Sequence, residues 1–369
     1  MRSMVTTARA PAPLTRHLGP NWYASVMGTA ILATAGHSLP APFTPPRALL
    51  CAAWALSAVA LLVLLAARSL HWRHHRDQAR AHLLDASVAP FYGCFGMGVL
   101  AVGGATAAAG QDVIGEPAAL AVAWVLWSAG TVLSLLAALV VPYLMVVRHR
   151  IDGPSSASPV WLLPVVAPMV AAALGPQLIP HLPEGQARAT MLLACYAMFG
   201  LSLLATLLLL PMIFARLLLH GPPPSALTPT LFLGLGPLGQ STTAVNQLAD
   251  VADGAIGPAY AHGFQAFAVV YGVPVLGFAL LWLALAAALV VRAARAGMGF
   301  AMTWWGFTFP VGTCVTGAAG LARHTGLDAL GGLAAALFAL LVAAWTVTAF
   351  RTVRGLLSGV LLAAPRPAA

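Results

Sequence analysis

The chain has 369 residues, of which 60% are hydrophobic and only 7% charged, and its mean hydropathy is +0.88. A soluble domain needs roughly a quarter of its residues charged, so this composition excludes one and describes a polytopic membrane protein. Lysine is absent, and the 18 arginines stand against 9 acids for a formal charge of +9. Because they lie in short stretches between apolar runs, they are read as orientation signals in a lipid bilayer, and a nucleic-acid partner is not expected.

Residues 1–19 contain Arg2, Arg9 and Arg16 but no apolar core before Asn21. They read as a cytoplasmic tail, without a cleavable signal peptide. About 20 apolar residues cross a bilayer, and such runs follow at 20–39, 46–70, 83–108, 117–147, 159–178, 188–219, 228–248, 261–291, 300–321 and 328–350. Residues 20–351 are therefore expected to form one transmembrane domain, with 352–369 as a second cytoplasmic tail. With the N-terminus inside, every arginine except Arg47, Arg188 and Arg323 falls on the cytoplasmic side of the inner or plasma membrane. Asp112, Glu116, Glu184, Asp250, Asp253 and Asp328 collect on the other side.

The spans alternate in texture. Even spans are smooth Leu/Ala helices such as "ALSAVALLVLLAA", whereas odd spans carry "PFYGCFGMG", "WLLPVVAPMV", "LGLGPLGQS" and "FTFPVGTCVTG". Helices interrupted by Gly and Pro need protein or a wet cavity around their freed backbone groups. This predicts an all-α fold of ten helices in five hairpins, the odd helices inside and the even ones outside, around a central path. Close packing of small residues is the competing explanation.

The odd spans offer neutral hydroxyl, amide and backbone groups in place of carboxylates, a set that suits an anion better than a cation. The candidate lining is Ser25, Thr29, Gly93, Gly96, Pro164, Pro168, Gly236, Gln240, Thr243, Gly306, Thr313 and Thr316. In "TWWGFTFPVGTCVTG", positions three and four apart share a helical face. From Phe309 that face runs through Met302, Gly306, Thr313, Thr316 and Gly320; from Phe307 it runs through Trp304, Val311, Cys314 and Ala318. Phe309 thus projects toward the small, polar side, with Pro310 as a kink beside it. Both a constriction and ordinary packing against glycine fit that pattern.

"NWYASVMGTAILA", "WLLPVVAPMVAAALG", "LGLGPLGQS" and "WWGFTFPVGT", in this order on ten spans, resemble the tellurite-resistance/dicarboxylate transporter family. That family includes the TehA permease, plant guard-cell slow anion channels, and fungal malate permeases and sulfite exporters; the malate and sulfite branch looks most similar. The resemblance implies a ten-helix protomer with its own pore, assembled as a homotrimer, and transport of small anions. The family's gating phenylalanine, in a Trp-x-Phe-(Ser/Thr)-Phe context, matches Phe309. Ala30 departs from the family's Met-Gly-Thr-Gly motif, which leaves the substrate open among a C4-dicarboxylate, sulfite, a tellurium oxyanion and a smaller inorganic anion.

A proton-coupled malate carrier is the alternative to a channel, with His37 and His262 as the groups able to take up protons. "HWRHH" has the spacing of a histidine box, but the other histidines are scattered, so it reads as a solvated loop. The four cysteines show no paired spacing. No cofactor, metal or enzymatic activity is expected, and a non-transporting receptor or scaffold is the remote alternative.

Overall fold

The computed structural model describes residues 15–362; the rest of the two expected tails lies outside them. Among the described residues all regular elements are helical. In chain order they are α1 (Tyr23–Ser38), α2 (Arg47–His74), α3 (Arg76–Leu84), α4 (Gly93–Ala105), α5 (Gln111–Ile114) and α6 (Glu116–Val147). There follow α7 (Leu162–Leu174), α8 (Gln186–His220), α9 (Leu235–Ala252), α10 (Pro258–Arg295), α11 (Phe309–Thr325) and α12 (Asp328–Leu357).

Five of these, α1, α4, α7, α9 and α11, close a ring, each packing on the next and α11 returning to α1. Each is paired with a long outer helix in the hairpins α1–α2, α4–α6, α7–α8, α9–α10 and α11–α12. Burial separates the two layers. The most apolar stretches of α2, α6, α8, α10 and α12 are only 22–33% buried, while those of the segments holding α4 and α7 are 72% and 89% buried. Outer helices therefore turn Leu, Val and Ala outward, as a lipid-facing layer must.

Among the described residues, seven helical segments are long and apolar enough to cross a membrane. The first, seventh and ninth expected spans correspond to α1, α9 and α11, which are shorter and more polar but buried along most of their length. Enclosure by other helices removes their need for an apolar surface.

Every inner helix is entered through a 3₁₀ segment: Pro20–Trp22, Ala89–Tyr92, Pro159–Trp161, Ser225–Gly234 and Met302–Phe307. Proline suits a first turn, where its missing N–H has no partner to lose. Pro310 fits this rule. It is the second residue of α11, after Thr308 breaks the helical phase at φ −96° and ψ −77°. Rather than kinking a helix it starts one. In the outer layer Pro142, Pro211 and Pro274 lie within uninterrupted helices.

The ring is tight where glycines meet backbone. A Cβ on Gly93 would strike the backbone of Leu163 and Pro164, and one on Gly312 would strike the Ile31 side chain. These contacts hold α4 on α7 and α11 on α1.

Within the "HWRHH" stretch, which ends α2 and leaves Trp72, Arg73 and His74 exposed, His71 departs from the solvated loop expected of it. His71 belongs to α2 and is fully buried, stacked on His82 of α3 with ring centroids 5.4 Å apart. Its Nδ1 lies 2.8 Å from the Thr15 carbonyl. The buried Arg68 donates to the Leu18 carbonyl and to the Tyr92 hydroxyl. Together they clamp the chain leading into α1 and the turn leading into α4.

Two predictions follow from this packing. Gly93→Val should separate α4 from α7 and sharply lower the yield of monodisperse protein. Gly200→Ala should be tolerated or gain up to about 1 kcal/mol, because nothing lies within 4 Å of its Cβ position; equal yields for the two variants would contradict the packing.

The second concerns acid. Burial, then the Arg68 charge, lower the His82 pKa to about 4 from its ordinary 6.5. Between those values the unfolded chain binds the proton and the folded one does not, so stability should fall as pH drops through this window. His82→Gln should flatten that slope in thermal unfolding; an unchanged slope would assign the acid sensitivity elsewhere.

Candidate functional site

The ring encloses a cavity of about 550 Å³ at the ends of α1, α4, α7, α9 and α11 and the start of α6. It lies opposite the face on which Arg148, Arg216 and Arg295 follow or end the outer helices. Its wall combines aliphatic side chains with Thr34, Ser38, Gln111, Gln177, Gln240, Gln247, His37 and His181, and its charged residues are Glu116 and Arg323. Deeper lies a chamber of about 20 Å³, room for about one water molecule, between Met27, Met97, Leu162, Val166, Leu233, Gly236 and Pro237.

Phe309 borders both spaces and is the one residue they share. The residue is only 3% exposed and sits where the outer vestibule and the inner chamber meet. Thr308 places it there, because the 3₁₀ segment ends at Phe307 and a new helical phase begins at Phe309 itself. Phe307 points elsewhere, meeting Phe232 edge-on at 4.9 Å and Trp304 at 5.7 Å.

From Phe309 onward α11 presents one stripe. Phe309, Thr316 and Arg323, spaced by seven residues, are its contributions to the vestibule wall. Seven residues are nearly two turns, so the three side chains stand in line along the axis. α9 faces them with Gln240, Thr243 and Gln247. Thr243 Oγ1 lies 2.6 Å from Thr316 Oγ1 and 3.0 Å from the Gly239 carbonyl, and Thr316 reaches the Thr313 carbonyl at 3.0 Å. The two hydroxyl protons are thus committed to protein acceptors. Free donors to a guest come from the glutamines, the histidines and Arg323.

The other residues expected from the sequence take varied places. Gly236 lines the inner chamber, and a Cβ there would meet nothing within 4 Å. Thr313 donates to the Pro310 carbonyl at 2.7 Å and packs on Gly239. Ser25 donates to the Trp22 carbonyl, and Thr29 accepts from Trp345 Nε1 at 3.0 Å, which turns it toward α12. Gly93 meets α7, Gly96 meets Ser134 of α6, and Gly306 approaches the Pro229 carbonyl. Pro164 and Pro168 are buried in α7 and border neither space. His37 lines the vestibule, whereas His262 is exposed near the start of α10, away from it.

Arg323, His181 and the two glutamines Gln177 and Gln247 escaped the sequence reading. The heptad step from Phe309 through Thr316 to Arg323 was available there, but the ninth apolar run ends at residue 321 and leaves Arg323 in a loop. No comparable signal marked His181, which sits in the 3₁₀ segment Gly175–His181 after α7.

Comparison with known proteins identifies the family. Residues 17–353 match the family described as SLAC1, voltage-dependent anion channel. The sulfite efflux pump SSU1 of Trichophyton rubrum is 28% identical over 80% of each chain. The protein of the same name from Arthroderma otae is 28% identical over 90% of this chain and 88% of its own. An uncharacterized transporter of Methanocaldococcus jannaschii is 24% identical over 96% of this chain and 98% of its own. The match spans the whole helical ring and its outer layer, and the chain belongs to the voltage-dependent anion channel family of multi-pass membrane proteins, whose work is anion transport.

Proposed function

We propose that this protein passes small anions along the axis of the five-helix ring and that the Phe309 ring is the gate. One observation carries the reading: Phe309 alone borders both the vestibule and the inner chamber. The vestibule wall, rich in amide and imidazole donors with Arg323 among them, stabilises negative charge better than positive. Sulfite is the first anion to test, since fungal relatives over most of their length carry the name of sulfite efflux pumps. A malate-like C4-dicarboxylate is the second. Each protomer encloses its own pathway, so the homotrimer implied by the family resemblance would set three pathways side by side. The transport domain spans 20–351 in the inner or plasma membrane, with both termini cytoplasmic.

A proton-coupled carrier is a second reading, favoured by one feature: His37 lines the vestibule. Sulfite and malate flux into proteoliposomes, measured with and without an imposed pH gradient, separates the two. Flux driven by the anion gradient alone supports the channel; flux that requires the pH gradient supports the carrier. Absence of any anion flux would end both.

The gate has its own test. Phe309→Ala should raise anion flux severalfold with folded protein retained. Phe307→Ala should instead lower the yield, because truncating a packed phenylalanine costs about 3–5 kcal/mol in soluble cores. If Phe307→Ala opens the path and Phe309→Ala does not, the two rings have been assigned the wrong way round.

Orientation is checked by reporter fusions after Arg80, Arg150, Arg216 and Arg295. All four should report the cytoplasm, and one robust external signal would break the ten-span arrangement.

A further inference from the structure

The mouth of the vestibule carries a charge arrangement that the gate reading does not use. Arg323 stands on the α11 stripe fourteen residues beyond Phe309, about 21 Å along the helix, and is the only Arg among the residues lining the vestibule. Asp250, at the end of α9, divides its carboxylate between two neighbours of α11. Its Oδ2 lies 3.1 Å from Arg323 Nη2, and its Oδ1 lies 3.0 Å from His324 Nε2. That histidine nitrogen also approaches the Asn246 carbonyl at 3.3 Å, which holds the imidazole in place.

The division matters for Arg323. A free carboxylate would take a guanidinium in a two-point fork. Here His324 occupies one oxygen, so Asp250 engages Arg323 through a single nitrogen. Of the five N–H groups of the guanidinium, the other four are not taken by Asp250, and the Arg323 side chain is 44% exposed. Glu116 on α6 supplies the vestibule wall with its negative charge, and His37 and His181 with imidazoles.

We propose that Arg323 is the residue that captures the anion at the mouth, and that Asp250, held off by His324, sets how much of the arginine's charge the anion meets. This rests on the anion-transport reading and adds to it a specificity-determining residue and two positioning residues. The arrangement favours oxyanions, whose paired oxygens match the open part of the fork, over spherical halides. His324 acts as a spacer: without it both carboxylate oxygens of Asp250 turn to Arg323 and close the fork.

The test uses purified full-length protein and sulfite as the probe, with binding measured by calorimetry in detergent and flux measured in proteoliposomes. Charge-lined clefts raise local anion concentration and capture rates by about tenfold or more. Arg323→Gln should therefore weaken sulfite binding about tenfold at low ionic strength and flatten its salt dependence, while Asp250→Asn should tighten binding severalfold. Arg323→Lys, which keeps the charge but not the fork, should retain chloride binding and lose much of the preference for sulfite. Opposite shifts for Arg323→Gln and Asp250→Asn are not expected of a purely structural tie between α9 and α11, where both variants would weaken binding and folding together. That joint weakening, or sulfite binding indifferent to Arg323→Gln, would overturn the proposal. Should Arg323→Gln fail to fold, the comparison of Arg323→Lys with Asp250→Asn decides it by the same criteria. Arginine-dependent sulfite binding without flux in the unmodified protein would refute transport and leave the capture site standing; flux with indifferent binding would do the reverse.

Discussion

A polar helix cannot face lipid, and most of this architecture depends on that constraint. α9 carries Gln240, Ser241, Thr242, Thr243 and Asn246 within two turns, all buried. Such a helix is stable in a bilayer only when other helices enclose it. The ring α1–α4–α7–α9–α11 provides the enclosure, and the outer helices provide the apolar exterior. Toward its outer end the ring leaves a cavity of about 550 Å³, while deeper in Met27, Met97, Leu162 and Phe309 close the space down to about 20 Å³. The same arrangement that protects polar groups from lipid therefore also lines a cavity with amide, hydroxyl and imidazole groups.

The two cavities meet where the backbone of the α11 segment changes helical type. The inner helices begin with 3₁₀ turns, and at Thr308 this change decides which aromatic ring faces the axis. Phe307 ends one phase and packs among Phe232 and Trp304, while Phe309 begins the next and reaches the axis. Two phenylalanines two positions apart thus acquire different surroundings from one backbone turn. The small inner chamber beside Gly236 lies next to Phe309.

Polar satisfaction distributes the remaining roles. Thr243 and Thr316 spend their hydroxyl protons on one another and on backbone carbonyls, which fixes α9 against α11 and makes them wall rather than ligand. The open donors lie nearer the mouth, on Gln177, Gln247, His181 and Arg323. On the opposite face Arg68 and His71 tie the entry of α1 to α2, so the two ends of the ring are held by different chemistry.

The membrane class, the runs of apolar residues and the division into interrupted inner and smooth outer helices were all legible in the sequence. Each depends on local composition or on helical spacing, which the chain carries with it. The family resemblance was legible for the same reason, through short motifs in order. Other features required the fold. A helical wheel drawn through Met302 and Gly306 assumes one continuous helix, and only the break at Thr308 shows that those residues belong to another phase. Thr29 and Gly96 look like any small residue of an inner helix until their neighbours Trp345 and Ser134 appear. His71 sits in a stretch that reads as solvated, yet contacts with Thr15 and His82, distant in sequence or on the next helix, bury it. Arg323 reads as a loop residue because apolar runs end before it, whereas the helix continues to Thr325 and carries it into the vestibule wall. Composition and periodicity determine which faces must be hidden, but which group a hidden face meets is decided by helices brought together from far along the chain.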